Sequence, residues 1–391
     1  MSHLSFIEKL LEGVDVEWKE LGNSINFQRG KRLVKSQLEE SGEYAVFQNS
    51  MTPLGYYHEG NVSAKSAFVI CAGAAGEIGF SDDSFWAADD VYYAEQSEIL
   101  NSKYLYHFLL TQKHKIASQV RRASIPRLSK SAIEKLVVPI PCPNNPEKSL
   151  AIQAEIVRIL DAFTAMTAEL TAELTAELNM RKKQYNYYRD QLLSFEEGDV
   201  EWKTLGEVTT ITIGEFVRKD IQDATAKYPV FNGGREATGY YERYNNSGNK
   251  VIVSARGANA GFVNRLSTPY WAGNSCYSIG VTNEKHLNWN YVYYYLKKSE
   301  SILIGIQQKG GIPAVSKKQM EDFLLPIPHI VEQERIVTIL EKFDALTNSL
   351  SDGLPREIEL RQKQYEYYRD LLLSFPASPA GGPKSHSDEA A

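Results

Sequence analysis

Two basic, acid-free segments stand out in the first half of the chain. QRGKRLVK (28–35) carries Arg29, Lys31, Arg32 and Lys35, and KHKIASQVRRASIPRLSK (113–130) carries Lys113, Lys115, Arg121, Arg122, Arg127 and Lys130. In the second half, GIQQKGGIPAVSKK (305–318) holds Lys309, Lys317 and Lys318 beside Gln307 and Gln308, while Arg218, Lys219, Arg235 and Arg256 fall on other loop-like stretches. Lys and Arg meet phosphates, and Arg, Gln and Asn can read base edges through paired hydrogen bonds. The chemistry these segments suit is contact with a nucleic-acid duplex. The candidate contacts are Arg29, Lys31, Arg32, Arg121, Arg122, Arg127 and Lys130 in the first half, then Arg218, Lys219, Arg235, Arg256, Lys309 and Lys317 in the second. The net charge of −6 does not oppose this, because a local basic patch matters more than the total. Tyr56, Tyr57, Tyr240, Tyr241 and Tyr293 to Tyr295 read as core or helix-packing residues, not base stackers.

Catalytic patterns are missing. The glycine-lysine pairing SGNK (247–250) lacks the spacing of a phosphate-binding loop, and GAAGEIG (73–79) is not shared by its counterpart ARGANAG (255–261), so both read as turns. No DPPY- or NPPF-like quartet, H-E-x-x-H or G-x-S-x-G occurs. The acid pairs Asp82–Asp83 and Asp89–Asp90 have no twin in the second half and read as solvated surface. Cys71, Cys142 and Cys276 stand far apart, which argues against a disulfide framework or a zinc site and fits a reducing cytoplasm. No apolar run reaches the roughly 18 residues of a membrane span. The opening MSHLSFIEKLLEGVDVEW reads as a short amphipathic helix and not as a signal peptide; the end from Pro376 has the composition of a disordered tail. The expectation is a non-catalytic chain that itself binds neither metal nor cofactor.

The elements that must position the basic loops are written twice. EWKELG (17–22) returns as EWKTLG (201–206), GYY (55–57) at 239–241, FVICAGAAGEIGF (68–80) as VIVSARGANAGFV (251–263), IPRLSK (125–130) as IPAVSK (312–317), and VPIP (138–141) as LPIP (325–328). RKKQYNYYRDQLLSF (181–195) matches RQKQYEYYRDLLLSF (361–375) at 12 of 15 positions. The period near 180 makes each copy one domain plus a connector. The first part of each copy, rich in β-branched and aromatic residues and in Gly, Asn and Pro, predicts short strands and a few helices, among them 102–117 and 289–303. The second part predicts a long helix: in the first copy apolar residues keep helical spacing for about 45 residues, ~70 Å at 1.5 Å per residue. Gly353 and Pro355 interrupt the second copy, where a kink is expected. The predicted division is 1–146, an N-terminal helix and the first head; 147–197, a long helix; 198–330, the second head; 331–375, a second long helix; and 376–391, the tail.

The first long helix contains TAELTAELTAEL (167–178), whose period of four matches neither a helix nor a coiled coil. Ala, Glu and Leu favour a helix, whereas Glu169, Glu173 and Glu177 repel mildly, and only Glu177 has an opposite charge four residues on, at Arg181. Length is the better reason for the repeat. One unit adds ~6 Å and turns the helix ~40° past a full turn, nearly preserving the stripe Leu170, Leu174 and Leu178. A DNA step is ~3.4 Å, so the repeat reads as a ruler.

Taken together, these residues resemble the specificity subunits of type I restriction-modification enzymes, across roughly 14–375. The resemblance rests on the duplicated head–helix plan, the IPxxSK-then-PIP close of each head, the E-x-x-R/V-I-V-x-I-L helix opening and the repeated K-Q-Y-x-Y-Y-R-D-x-L-L-S-F. The TAEL repeats are similar to the type IC branch. The resemblance implies an α+β chain of two mixed α/β target recognition domains in tandem, separated by two long antiparallel coiled-coil helices with pseudo-twofold symmetry. Each head would read one half of a bipartite, asymmetric target in double-stranded DNA. Two methyltransferase subunits, binding S-adenosylmethionine, would dock on this frame, and two ATP- and Mg2+-dependent restriction subunits would join through them. The near-identical segments holding Tyr185, Tyr188 and Arg189, and Tyr365, Tyr368 and Arg369, would present one surface to the same partner. Competing readings are a fused methyltransferase or nuclease and a purely structural adaptor.

Overall fold

The computed structural model describes residues 14–196, 198–308, 311–348 and 353–375; the N-terminal residues before 14, Lys309 and the tail from 376 lie outside them. Two compact units divide the chain: Met1–Ala172 with Glu359–Ala391, and Glu173–Ile358.

In the first unit the EWK segment forms strand β1 (Val16–Glu20), so the expected opening helix does not extend to Val16. A short helical turn, α1 (Leu21–Ser24), follows, then β2 (Phe27–Arg29), β3 (Tyr44–Phe47), β4 (Gly55–Tyr57), β5 (Ser66–Ile70), β6 (Ile78–Ser81), β7 (Trp86–Ala87) and β8 (Val91–Ala94). Helices α2 (Ser102–Thr111), α3 (Lys113–Ser118) and α4 (Lys130–Glu134) lead to β9 (Val137–Pro141). Three sheets result: β1 antiparallel to β9, a four-stranded sheet ordered β2-β8-β5-β6, and a three-stranded sheet ordered β4-β3-β7 with β3 and β7 parallel. The apolar run of β5 is buried along its whole length, as befits a strand with neighbours on both sides. Asn101 caps α2, its side-chain oxygen accepting from the N–H groups of Lys103 and Tyr104. The Tyr104 hydroxyl then donates to the Pro139 carbonyl at 2.9 Å, joining α2 to β9.

One helix was expected over 102–117, but the backbone turns aside at Gln112 (φ −93°, ψ 6°), which ends α2 and lets α3 bury Ile116.

The connector after β9 is one 47-residue helix, α5 (Pro146–Leu192), whose first half belongs to this unit. Leu170, Leu174 and Leu178 are half-buried, and Glu177 meets Arg181 at 2.6 Å.

The second unit repeats this head. Its elements are β10 (Glu201–Thr204), α6 (Leu205–Val208), β11 (Thr209–Ile213), β12 (Tyr228–Phe231), β13 (Gly239–Tyr241), β14 (Lys250–Ser254), β15 (Val263–Leu266), β16 (Trp271–Ala272) and β17 (Cys276–Val281). Helices α7 (Trp289–Lys298), α8 (Glu300–Gly305) and α9 (Lys317–Glu321) and strand β18 (Leu324–Ile327) close it. The sheets recur as β10-β18, β11-β17-β14-β15 and β13-β12-β16. Asn288 caps α7, and the Tyr291 hydroxyl donates to the Pro326 carbonyl at 3.0 Å. The expected helix 289–303 bends at Ser299 (φ −87°, ψ 8°), the counterpart of the bend at Gln112.

The second connector is interrupted near Gly353 and Pro355, where a kink was expected, and residues 349–352 lie outside the described ones. It forms α10 (Ile330–Asn348) and α11 (Leu354–Leu372), with Pro355 in the first turn of α11. Proline has no N–H to donate to a preceding turn, and its fixed φ suits a helix start, so the chain begins a new helix there.

Each unit combines its head with two helix segments, one from each copy. In the first, Leu372, Leu373 and Phe375 at the end of α11 join the core around Tyr104 and Leu105. In the second, Leu193, with Tyr185, Leu192 and Phe195, joins the core around Tyr291 and Leu296, and the Lys298 ammonium donates to the Leu193 carbonyl at 2.9 Å. Within the first unit Tyr368 stacks on Phe163 (6.0 Å) and the Thr164 hydroxyl donates to the Tyr365 oxygen (2.9 Å). Within the second, Tyr188 stacks on Phe343 at 5.6 Å, and Tyr185 also lies against that ring. In the first unit rising numbers on one segment (163, 164) meet falling numbers on the other (368, 365), so that pair of segments is antiparallel. The two contacts are the same one with the copies exchanged.

The head-to-helix joint is chemically different in the two units. Asp161 accepts from Lys103 (2.9 Å) and His107 (3.2 Å) in the first. In the second, Arg265 donates to Asn290, to the Tyr294 hydroxyl and to Asp344, the last at 2.9 Å.

Candidate nucleic-acid interface

The basic residues of the first head converge around the end of β5. Cys71 donates its N–H to the Asp90 carbonyl (2.7 Å) and accepts at its own carbonyl from Leu128 N–H (2.8 Å). Arg29, at the end of β2, donates to the Asp89 carbonyl at 2.7 Å. The loop carrying Arg121, Arg122 and Arg127 is closed by two backbone hydrogen bonds between Arg121 and Arg127 and tied to Gly73 through the Pro126 carbonyl. Arg29 and this loop are therefore held at one place in the head. Burial pushes the Cys71 thiol up, against the opposing pull of Arg29, and burial raises Cys276 to about 11, so both thiols are protonated at neutral pH.

The QRGKRLVK segment is placed by a close backbone approach. A Cβ on Gly30 would lie 2.2 Å from the Ala88 carbonyl oxygen, and on Gly214, its counterpart, 2.2 Å from that of Ala272. Only glycine fits there. Beyond it Lys31 donates its N–H to Ala87 and accepts from the Trp86 indole, which leaves the Lys31 and Arg32 side chains exposed.

In the second head Ala255 takes the place of Cys71: its N–H bonds to Ser275 and its carbonyl accepts from Val315. Arg256 follows, exposed, bridged through its backbone to Ala314. Arg235 is exposed and lies over the Phe262 ring at 5.2 Å. Arg218 and Lys219 sit on a separate exposed turn, with Arg218 paired to Asp220 at 3.3 Å. Lys309 lies outside the described residues.

Two of the candidate contacts also have a local partner. Lys130 and Lys317 open α4 and α9 and pair four residues on with Glu134 (3.0 Å) and Glu321 (3.3 Å). The shared SK frame builds a helix start, and its charge is partly spent there. By contrast, among the described residues Arg121, Arg122, Arg127, Arg235 and Arg256 form no ion pair.

The tyrosines also divide differently. Tyr57 and Tyr241 pack edge-on to Trp86 and Trp271, as expected of core residues, whereas Tyr56 and Tyr240 are exposed on β4 and β13. A strand alternates its faces, so a GYY run cannot bury both rings on one side. In the repeated YYRD segments, Tyr185, Tyr365 and Tyr368 are half-buried against their own units, and Arg189 and Arg369 bond their neighbouring Asp190 and Asp370. Tyr188 is both stacked and 45% exposed. Sequence reasoning missed Tyr187 and Tyr367, which are 61% and 63% exposed. It also missed Ile125 and Ile312, exposed on the two IP loops.

No group of three or more His, Cys, Asp or Glu among the described residues is placed to hold a metal ion, and none of their helices is long and apolar enough to cross a membrane.

The family described as type I restriction modification DNA specificity domain matches this chain twice, over 13–180 and 197–360. The chain is 39% identical to the type I restriction enzyme EcoR124I/EcoR124II specificity subunit of Escherichia coli, covering 96% of this chain and 98% of that one. It is 34% identical to a putative type I restriction enzyme specificity subunit of Haemophilus influenzae, with coverage of 95% and 98%. A solved type I restriction-modification S subunit from M. genitalium covers 94% of this chain and 97% of its own at a TM-score of 0.52 and 18% identity, so it supports the fold alone. A chain from a structure concerned with type I complex assembly and conformational transition covers 92% and 97% at a TM-score of 0.62. The twice-built head, the paired helix segments and these matches agree: the chain belongs to the specificity subunits of type I restriction-modification systems, the non-catalytic, DNA-recognising component.

Proposed function

We propose that each head reads one half of a bipartite target in double-stranded DNA, and that Arg29, Arg121, Arg122 and Arg127 in the first head and Arg235 and Arg256 in the second make the leading contacts. The observation that carries this is the contrast in pairing: the frame lysines are matched by carboxylates, whereas the arginines of the loops around Cys71 and Ala255 are exposed without an ion pair among the described residues. Unpaired guanidinium groups keep their donors for phosphates and for guanine edges. Lys31, Arg32, Lys130, Arg218, Lys219, Lys309 and Lys317 stand as supporting contacts.

Two methyltransferase subunits dock on the helix segments, and restriction subunits join through them; S-adenosylmethionine, ATP and Mg2+ are held by those partners, in the cytoplasm. The exposed Tyr187 and Tyr367 occupy the same place in the two copies, so each can offer one copy of the partner the same ring. Replacing both by alanine is expected to weaken assembly at least ~10-fold, since interface tyrosines are frequent anchors; co-purification at a fixed partner concentration measures it, and full assembly would refute this placement.

The TAEL stretch sets the gap between the half-sites. Mapping methylated adenines genome-wide in cells carrying this chain should yield two short sequences separated by an unread spacer. Deleting one TAEL unit should shorten that spacer by about one or two base pairs, given ~6 Å per unit and ~3.4 Å per step. Altered half-sites, or an unchanged spacer, would count against the ruler.

A further inference from the structure

Ile125 and Ile312 are 52% and 70% exposed. A single exposed isoleucine has no meaning on its own. These two occupy the same position in the two heads, each followed by proline, on loops tied down by the same bonds. The Pro126 carbonyl accepts from Gly73 N–H and the Pro313 carbonyl from Gly257 N–H, at 3.2 and 2.9 Å. Leu128 and Val315, three residues beyond each isoleucine, are buried and bond the carbonyls of Cys71 and Ala255. Arg121 and Arg127 close the first loop, and Gln308 bonds Ala314 to close the second. The proline that follows each isoleucine is thus held in place, and a β-branched side chain beside proline has little freedom left to lose on contact.

The residues around the tips diverge: Arg121 becomes Gln308, and Arg127 becomes Ala314. What differs between heads can read what differs between half-sites. Of the residues shared by both loops, the SK frame starts a helix and the proline carbonyl ties the loop down, which leaves the exposed isoleucine for something common to any duplex; for an apolar side chain on loops beside Arg121, Arg127 and Arg256 that common feature is the base stack. Resting on the reading of the heads as DNA readers, we propose that Ile125 and Ile312 act as apolar wedges that press between neighbouring base pairs, one in each half-site, independently of sequence. Wedging costs stacking energy and is repaid by burial of the side chain and by the contacts that a kinked duplex allows.

The test uses the assembled complex of this chain with its methyltransferase partners and duplexes bearing the mapped target, with 2-aminopurine placed at successive positions. On binding, one step in each half should brighten as it unstacks. Ile125→Ala should abolish the signal in one half and Ile312→Ala in the other. Each variant should bind about 10-fold more weakly while keeping its sequence preference. Because both side chains are exposed, the variants should melt like the wild-type chain. If the wild-type complex binds but no step brightens, or the brightening survives the alanine variants, the wedge is refuted. It is equally refuted if replacing thymine by uracil reproduces the alanine loss, which would mark a methyl contact, or if the variants fail to assemble, which would mark a protein contact. A wild-type complex that binds no duplex would instead overturn the reading of the heads.

Discussion

Replacing Phe375 by alanine is expected to destabilise the unit containing the first head by about 3–5 kcal/mol, the range for removing a buried phenylalanine. Phe375 is 7% exposed, and its ring meets Tyr104 edge-on at 6.5 Å. Tyr104 is fully buried and bonded to β9, so the end of α11 is part of the wall of the first core. Leu372 and Leu373 share that cluster, whose members among the described residues all belong to the first unit. Calorimetry should therefore show one transition lowered and one unchanged. Hydrogen exchange should locate the loss in α2 and β9, near the opposite end of the chain from the substitution. If the second head were weakened equally, or the first not at all, the assignment of this segment would fail. Phe195, its partner in the repeat, is only partly buried against the second head, and Leu193 carries most of the burial there; the parallel substitution Phe195→Ala should cost less.

Replacing Gln333 by methionine, which keeps the length of the side chain and removes its polar atoms, is expected to cost the second unit about 3 kcal/mol. Gln333 is fully buried. Its oxygen accepts from Asn288 N–H at 2.9 Å, and its nitrogen donates to the His286 and Pro328 carbonyls at 2.9 and 2.8 Å. Each backbone group stranded in the interior costs about 1–3 kcal/mol, partly offset here by the gain in apolar burial. Asn288 is also the cap of α7, so the side chain fixes the start of α10 to the start of the helix that forms the core of the head. Gln153 does the same in the first unit, accepting from Asn101 N–H at 2.8 Å and donating to the Ile99 carbonyl at 2.9 Å and to Ser149. Gln153→Met should behave alike. Urea denaturation measures the loss, and a change under about 0.5 kcal/mol, the size of an ordinary surface substitution, would sink the argument.

Much of this design was legible from residues alone. Duplication is a property of letters, and a stretch without glycine or proline carrying apolar residues at helical spacing has few alternatives to a helix; α5 accordingly runs unbroken for 47 residues. Basic loops at matching places are also local signals. Local signals were weaker at the bends. Gln112 and Ser299 are compatible with a helix, and only the burial of Ile116 and Leu303 explains why the chain turns there. Lys130 and Lys317 each face a carboxylate one helical turn away, which a list of charges in a sequence does not show.

Helix face was the hardest feature. In QYxYYRD any of three tyrosines can point outward, and choosing among them requires knowing which side Phe163 and Phe343 occupy, a fact supplied by a distant segment of the chain. The sequence by itself determined two similar heads, two connectors, the length of the first and the places where cations gather, because these follow from composition, spacing and local backbone preference. Only the tertiary structure decided that the end of each connector completes the core of a head, which tyrosines are consumed inside each unit, and which cations and isoleucines remain exposed. Those outcomes depend on burial and pairing between residues far apart in the chain, and such contacts leave no periodic trace in the order of the amino acids.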